Sequence, residues 1–66
     1  MTISLQDALI SEIKRVEELA DIYSSTPLGA PIAYSIGHDV LMAREAINRE
    51  NISLMCVVYQ NLKKYN

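Results

Sequence analysis

Residues 24–31 read Ser-Ser-Thr-Pro-Leu-Gly-Ala-Pro and interrupt an otherwise helical pattern of apolar side chains. Each proline biases the residue before it away from the right-handed helical region, and Gly29 permits a positive φ angle. Pro31 suits the first turn of a helix, where a missing N–H group leaves no helical hydrogen bond unmade. We therefore expect one helix to end near Ser24 and a second helix to begin near Pro31.

The segment before the break predicts an amphipathic helix over residues 4–24. Apolar side chains recur there at spacings of three and four residues, while polar side chains occupy the opposite face. Ser4 is a suitable N-cap, and Asp7 supplies an acid to the first turn. The stripe that we expect to face the core comprises Leu5, Leu9, Ile13, Val16, Ala20 and Tyr23.

The segment after the break predicts a second helix over residues 31–47. Its apolar stripe comprises Ile32, Ile36, Val40, Ala43 and Ile47. Ala33 and Gly37 lie one turn apart and form a strip of small residues, beside which the backbone of another helix could pass closely. The alternative is a glycine that is merely tolerated, which costs about 1 kcal/mol relative to alanine inside a helix.

A third helix is predicted over residues 52–65, after a short connection at residues 48–51. Asn48 can adopt a left-handed conformation at the end of the second helix, and Asn51 can cap the third. A connection this short favours antiparallel neighbours, so we expect a C-terminal helical hairpin. The β-branched pair Val57-Val58 leaves a strand possible, but the length of the segment and its apolar spacing favour a helix. The spaced residues are Ile52, Met55, Tyr59 and Leu62.

The chain has 66 residues, which we interpret as one all-α domain of three helices spanning residues 1–66. A core of this size offsets the entropy lost on folding only narrowly, and disulfides, metals or self-association are the usual additional stabilisation. A single cysteine, Cys56, excludes an intrachain disulfide, and one Cys with one His cannot complete a structural zinc site. We therefore expect a homo-oligomer.

The third helix is the first candidate for the oligomer interface, because residues 54–59 carry no polar group apart from the Tyr59 hydroxyl. A helix that is apolar nearly all round is buried on more than one side, and two short helices cannot cover it completely. Cys56 lies within this run and is expected to be a buried, inert small hydrophobe. We predict contacts by Leu54, Met55, Val58, Tyr59 and Leu62, with Ala33 and Gly37 as a second candidate surface.

The charge balance argues against nucleic acid as a partner. Six Lys and Arg residues against eight Asp and Glu residues give a net charge of −2, and the basic residues are scattered among acids. A protein that binds duplex nucleic acid normally carries a basic stripe that neutralises phosphates. Residues 1–4 lack the start of a signal peptide, and the longest apolar run is far shorter than a membrane span. We expect a cytoplasmic location and no membrane partner.

Ser35, His38 and Asp39 supply the residue types of a hydrolase triad, but their spacing opposes one. On a helix Ser35 and His38 are neighbours, whereas His38 and Asp39 point about 100° apart, so Asp39 would not orient the imidazole. A metal site would need further ligands beside His38, and the sequence has no HxxxH or HxxxE pair. We expect no enzyme activity, no cofactor and no metal. A small hydrolase that uses His38 and Asp39 is the minor alternative.

Four residues predict a site for a small anionic or nucleotide-like ligand: Tyr34, His38, Arg44 and Thr26. Tyr34 and His38 share one helical face and supply stacking surfaces. Arg44 supplies a planar fork of hydrogen-bond donors, and Thr26 supplies a hydroxyl in the loop. The alternative is ordinary surface chemistry, with Arg44 solvated.

Residues 43–65 combine Ala-Arg-Glu-Ala-Ile, the turn at 48–51, Met55, Tyr59 and Leu62-Lys63-Lys64-Tyr65. This pattern resembles the C-terminal hairpin of short helical proteins encoded by bacteriophages and prophages. The resemblance implies stoichiometric action, either by blocking a host protein or by sequestering a nucleotide-like signal of host defence between protomers. We therefore predict a non-enzymatic binding protein that inhibits host defence in this way. The alternative is a structural or regulatory adaptor that docks onto one host or phage protein.

Overall fold

The computed structural model describes residues 4–65, which form three α-helices and a 3-10 turn. Helix α1 spans Leu5–Ser24, the 3-10 turn spans Pro27–Gly29, α2 spans Ala30–Asn48 and α3 spans Ile52–Lys63. No strand occurs among the described residues, which confirms the all-α class and rejects a strand at Val57-Val58. Residues 1–3 and 66 lie outside the described part of the chain. The predicted domain limits at residues 1 and 66, and most of the segment that was compared with a signal peptide, are therefore not described.

Serine residues fix both ends of α1. The Ser4 hydroxyl accepts a hydrogen bond from the Asp7 N–H group at 3.1 Å, which confirms the predicted N-cap. At the other end, the Ser25 hydroxyl donates to the Ile22 carbonyl oxygen at 2.6 Å. The Ser25 N–H group bonds to the carbonyl groups of Ile22 and Tyr23. These bonds satisfy carbonyl groups that no further helical turn reaches, so α1 ends where the sequence predicts.

The connection from α1 to α2 is a 3-10 turn that Thr26 caps. The Thr26 hydroxyl accepts a hydrogen bond from the Gly29 N–H group at 3.1 Å. Gly29 has a φ angle of −86°, so the positive φ that glycine permits is not used. Glycine is required for space instead, because a Cβ atom at Gly29 would lie 2.1 Å from the Tyr23 carbonyl oxygen. Pro31 lies in the first turn of α2, as predicted.

Helix α2 ends in a Schellman motif, and its left-handed residue is not Asn48. The Glu50 N–H group bonds to the Ile47 carbonyl oxygen at 3.1 Å, and the Asn51 N–H group bonds to that of Ala46 at 3.0 Å. Glu50 has a φ angle of 53°, which places it in the left-handed position of this motif. The prediction for Asn48 is wrong because α2 continues through that residue, which moves the left-handed position two residues along.

Helix α3 starts as predicted and ends early. The Asn51 side chain accepts a hydrogen bond from the Leu54 N–H group at 3.1 Å, which confirms it as the N-cap. The helix ends at Lys63 rather than at residue 65. Tyr65 leaves the helical path and its hydroxyl bonds to α2.

Ten apolar side chains from all three helices form the core, and the predicted stripes are confirmed at most positions. Two residues in the first turns of their helices are exceptions. Ile32 is 40 % exposed and Ile52 is 61 % exposed, because both lie at the edge of the packed region. The buried residues are Leu9, Ile13 and Val16 from α1, Ile36, Val40, Ala43 and Ala46 from α2, and Met55, Val58 and Leu62 from α3.

Arg15 of α1 holds the C-terminal end of α3. Its guanidinium donates to the carbonyl oxygens of Leu62 at 3.1 Å and of Tyr65 at 2.9 Å. Glu12 pairs with Arg15 at 2.9 Å, and this hydrogen bond is the main cause that raises the pKa of Arg15 above its ordinary value. A charged donor at the carbonyl end of a helix stabilises it by hydrogen bonding and through the helix dipole.

The helices differ in length, and this leaves one end of the molecule without a third helix. α1 has 20 residues and α3 has 12, so α3 is about 12 Å shorter at 1.5 Å per residue. Because α3 ends beside Arg15, α1 continues for about two turns beyond it. We call the far end of the α1–α2 pair, residues 22–32, the tip.

Replacing Gly29 by alanine is expected to destabilise the fold, whereas the same change at Gly37 is not. A Cβ atom at Gly29 would overlap the backbone of Tyr23, so the connection must shift, at a cost of about 1–3 kcal/mol. A Cβ atom at Gly37 would meet no atom within 4 Å. Alanine there should raise the free energy of unfolding by up to about 1 kcal/mol. Urea unfolding at low protein concentration measures both variants, and equal effects would contradict this account.

Candidate binding surfaces

Tyr34 and His38, the predicted stacking residues, lie together on α2. With Gly37 and Leu41 they line a shallow depression of about 270 Å³. Tyr34 is 82 % exposed and Leu41 is 68 % exposed, so this depression is open to solvent. Sites for small molecules usually enclose most of their ligand. One chain therefore offers a single stacking face, and a second surface would have to close over it.

Arg44 lies outside this depression, on the side of α2 that faces α1. Its guanidinium bonds to the Glu17 carboxylate at 3.1 Å, and the two side chains are 55 % and 50 % exposed. Ten residues separate Arg44 from Tyr34, which turns Arg44 about 80° round the helix axis from Tyr34. A single chain therefore does not bring Arg44 to the surface formed by Tyr34 and His38.

Thr26 is engaged by the fold. Besides accepting the bond from Gly29, its hydroxyl donates to the Tyr23 carbonyl oxygen at 3.4 Å. The one proton of the hydroxyl is thus directed at the backbone of α1. Of the four residues predicted to bind a ligand, the structure groups Tyr34 and His38 and gives Thr26 and Arg44 other partners.

Ser35 and Asp39 are joined by Tyr65 and not by His38. The Tyr65 hydroxyl donates to the Asp39 carboxylate at 2.5 Å, and the Ser35 hydroxyl lies 2.7 Å from the same phenolic oxygen. Because the phenol has one proton, Ser35 is the donor in the second contact. His38 is exposed. A hydrolase triad needs an imidazole between the nucleophile and the acid, and this arrangement does not provide one.

The pattern of residues in the sequence did not connect the Tyr65 phenol to Ser35 and Asp39. The partial burial of this phenol raises its pKa above the ordinary value, the hydrogen bond to Asp39 raises the pKa further, and the bond from Ser35 lowers it. The phenol is therefore neutral at physiological pH and acts as a donor. The one sequence signal was the spacing of Ser35 and Asp39, which places both on one face of α2.

Two shallow depressions follow the junction of α1 and α2, and together they form what we call the α1–α2 groove. Glu17 and Arg44 line both depressions, so their ion pair stands between them. The first has a volume of about 440 Å³ and is otherwise lined by Ile10, Ile13, Lys14, Ile47 and Asn48. The second has a volume of about 450 Å³ and is otherwise lined by Ala20, Asp21, Ile36, Gly37, Val40 and Leu41.

Three of the five α3 residues predicted at an oligomer interface are buried within one chain. Met55, Val58 and Leu62 are at most 3 % exposed and belong to the core. Leu54 and Tyr59 pack partly against it. The apolar character of this face is therefore explained by contacts within one chain.

The apolar surface that α3 leaves exposed is a different one. Ile52 is 61 % exposed and Val57 is 55 % exposed. Cys56 is also exposed, so the prediction that it is buried is wrong. Because apolar residues occupy most sides of α3, the sequence does not indicate which side faces inward. Cys56 lies about 100° round the helix from the buried Met55, and its side chain therefore points outward.

Within residues 4–65, no three side chains of His, Cys, Asp or Glu come together as ligands for a metal ion. In the same part of the chain, no helix combines the length and apolar character needed to cross a bilayer. Comparison with protein-family models, with curated proteins and with solved structures finds no match to this chain.

Replacing Tyr65 by phenylalanine is expected to lower the free energy of unfolding by about 1–2 kcal/mol, because a hydrogen bond to a carboxylate is lost. The ring can keep its position, so the change isolates the hydroxyl. Chemical denaturation followed by circular dichroism measures the effect. Tyr34→Phe is the matched control, because the Tyr34 side chain is 82 % exposed and its hydroxyl should contribute nothing.

The contribution of the Tyr65 hydroxyl should also depend on pH with a definite sign. Its pKa is raised in the folded protein, so the stabilisation is complete below the unfolded value of about 10 and is lost as the pH rises through the folded-state pKa. The difference in stability between the wild type and Tyr65→Phe should therefore shrink above about pH 10. A difference that stays constant into more alkaline solution would count against a raised pKa of Tyr65, and so against its burial and its bond to Asp39.

Proposed function

We propose that this protein is a non-enzymatic binding protein that acts stoichiometrically by occupying a partner protein. The observation that carries the proposal is the tip, where three large apolar side chains are exposed. Ile22 is 66 % exposed, Leu28 is 92 % exposed and Ile32 is 40 % exposed. Exposed apolar groups that lie together mark contact sites in soluble proteins, and these three fall within an eleven-residue stretch of the chain. The Asp39 carboxylate, which a hydrolase would need beside His38, is instead bonded to Tyr65.

The partner in this proposal is a single host or phage protein. Blocking a host-defence protein, as the resemblance to phage proteins implies, and docking as an adaptor would both use the tip in the same way. A cytoplasmic location suits either action and stays a prediction.

We also propose that α2 and α3 form an antiparallel hairpin, which the three-residue connection between the helices supports. We further propose a homo-oligomer, which is supported by apolar residues that are exposed away from the tip, Leu41 and Val57 among them.

A second candidate function is the sequestering of a nucleotide-like anion between protomers. The observation that favours it is the depression lined by Tyr34 and His38, whose rings can stack on a base. The depression is open, so a ligand held there would need a second protomer to cover its other face. Arg44 could take part in such a site only from that second protomer, because it is turned away from Tyr34 within its own chain.

Leu28→Asp is expected to abolish capture of the protein partner while the fold is kept, because the Leu28 side chain is 92 % exposed. The tagged chain is recovered from the cells in which it is naturally expressed, and the proteins that accompany it are quantified by mass spectrometry. We expect one protein at about one copy per chain, and a recovery at least about tenfold lower with Leu28→Asp.

Ile52→Asp is the matched control for this experiment. Ile52 is an apolar residue that is 61 % exposed, and it lies on α3 rather than at the tip, so its replacement should retain the partner. Full recovery with Leu28→Asp would show that the tip is not the contact. The absence of any stoichiometric protein would remove the proposal.

Native mass spectrometry with and without cyclic nucleotides tests the second candidate. Sequestering between protomers predicts a nucleotide-bound oligomer and no nucleotide-bound monomer, because one chain has a single stacking face. Tyr34→Ala should lose the bound mass, while Tyr34→Phe should keep it, since the ring and not the hydroxyl makes the stacking contact. A strictly monomeric protein that retains no nucleotide would exclude this candidate.

A further inference from the structure

The α1–α2 groove combines an apolar floor with charged walls, and one ion pair joins the two walls. Ile10 is 48 % exposed in the first depression, and Leu41 is 68 % exposed in the second. Between them, Glu17 stands on the α1 wall and Arg44 on the α2 wall, 3.1 Å apart. The two charges therefore lie at one level of the groove, one on each helix.

Gly37 leaves room for a helix to pass along this groove. It lies inside α2, where glycine lowers helix stability relative to alanine. At Gly29 the lack of a side chain has a cause within the chain, but a Cβ atom at Gly37 would meet no atom within 4 Å. A glycine on an exposed helical face allows the backbone of another helix to come close.

We propose that the α1–α2 groove is a homodimer interface, in which two copies of this chain pair about a twofold axis that runs along the groove. Such an axis sets the α1 wall of each copy opposite the α2 wall of the other, at the same level. Glu17 of each copy then faces Arg44 of the second copy. The two ion pairs become a ring of four side chains that alternate in charge.

Charge complementarity identifies the occupant as a second copy. The α1 wall carries Lys14, Glu17 and Asp21, one positive and two negative charges, and so has a net charge of −1. The α2 wall carries Arg44 and has a net charge of +1. A twofold dimer requires a surface that is complementary to itself, and these two walls meet that requirement. Two helix pairs joined in this way form a four-helix arrangement, which buries the floor of the groove.

This inference rests on the self-association in the proposed function and adds its location and symmetry. None of the residues that line the groove belongs to the tip. Partner binding at the tip therefore does not depend on the groove, and the two can fail separately.

Two charge reversals test the arrangement. Glu17→Arg would place four positive charges in the ring of a homodimer, and Arg44→Glu would place four negative charges there. Each variant alone should therefore dimerise at least about tenfold more weakly than the wild type in sedimentation equilibrium. When the two variants are mixed in equal amounts, every contact between copies again joins opposite charges, so the mixture should recover the dimer. Each variant also loses the exposed Glu17–Arg44 ion pair within its own chain. Because an exposed pair contributes little to stability, both variants should remain folded, and circular dichroism checks this.

Two further variants separate the groove from the rest of the surface. Gly37→Ala should weaken the dimer while stabilising the monomer, because the added methyl group lies where the second backbone approaches. Glu45→Arg is the control, because Glu45 pairs with Arg49 at 2.6 Å and lines neither depression of the groove. This reversal should leave dimerisation unchanged.

Each outcome decides between the possibilities. A wild-type protein that stays monomeric at high concentration would overturn both this interface and the proposed self-association. A wild-type oligomer that neither Glu17→Arg nor Arg44→Glu weakens would overturn the interface alone and point to the exposed face of α3. A mixture of the two variants that stays monomeric would overturn the twofold axis along the groove.

Discussion

The bundle is closed by the hydrogen bonds at the end of α3. A short connection holds the start of this helix to α2, but its other end would fray without a tie. Arg15 brings a charged donor from α1 to the last carbonyl groups of α3, and Tyr65 bonds to Asp39 on α2. These contacts keep the apolar face of α3 against both other helices. They also leave the α1–α2 groove, which no α3 residue lines, on the open side of the molecule.

Features that depend on neighbouring residues were predictable from the sequence. Apolar spacing predicted all three helices to within two residues at each end, because burial of one face imposes that spacing on each helix separately. The N-caps at Ser4 and Asn51 were predictable because each side chain accepts a hydrogen bond from an N–H group only three residues further along the chain. The end of α2 was less predictable, because the helix continues through Asn48 and the left-handed position falls two residues further along, at Glu50.

Contacts between residues distant in sequence were not predictable. The Arg15 bond to Tyr65 spans 50 residues, and the Tyr65 bond to Asp39 spans 26. In α3, apolar residues on most sides left open which face is the core, so Met55, Val58 and Leu62 were assigned to an interface. The set of Tyr34, His38, Arg44 and Thr26 had the right chemistry for a ligand, but helix rotation and the capping of the connection separate its members within one chain.

The tip has a consequence for the thermodynamics of any contact it makes. A loop that presents apolar side chains normally loses conformational entropy when it binds, and that loss weakens the complex. Here the cap at Thr26, the fixed φ angles of the two prolines and the buried Gly29 reduce the conformations that the backbone around Leu28 can adopt. Part of the ordering is thus completed during folding. A contact through the tip would therefore lose less free energy to the ordering of the loop than a contact through an unrestrained loop would.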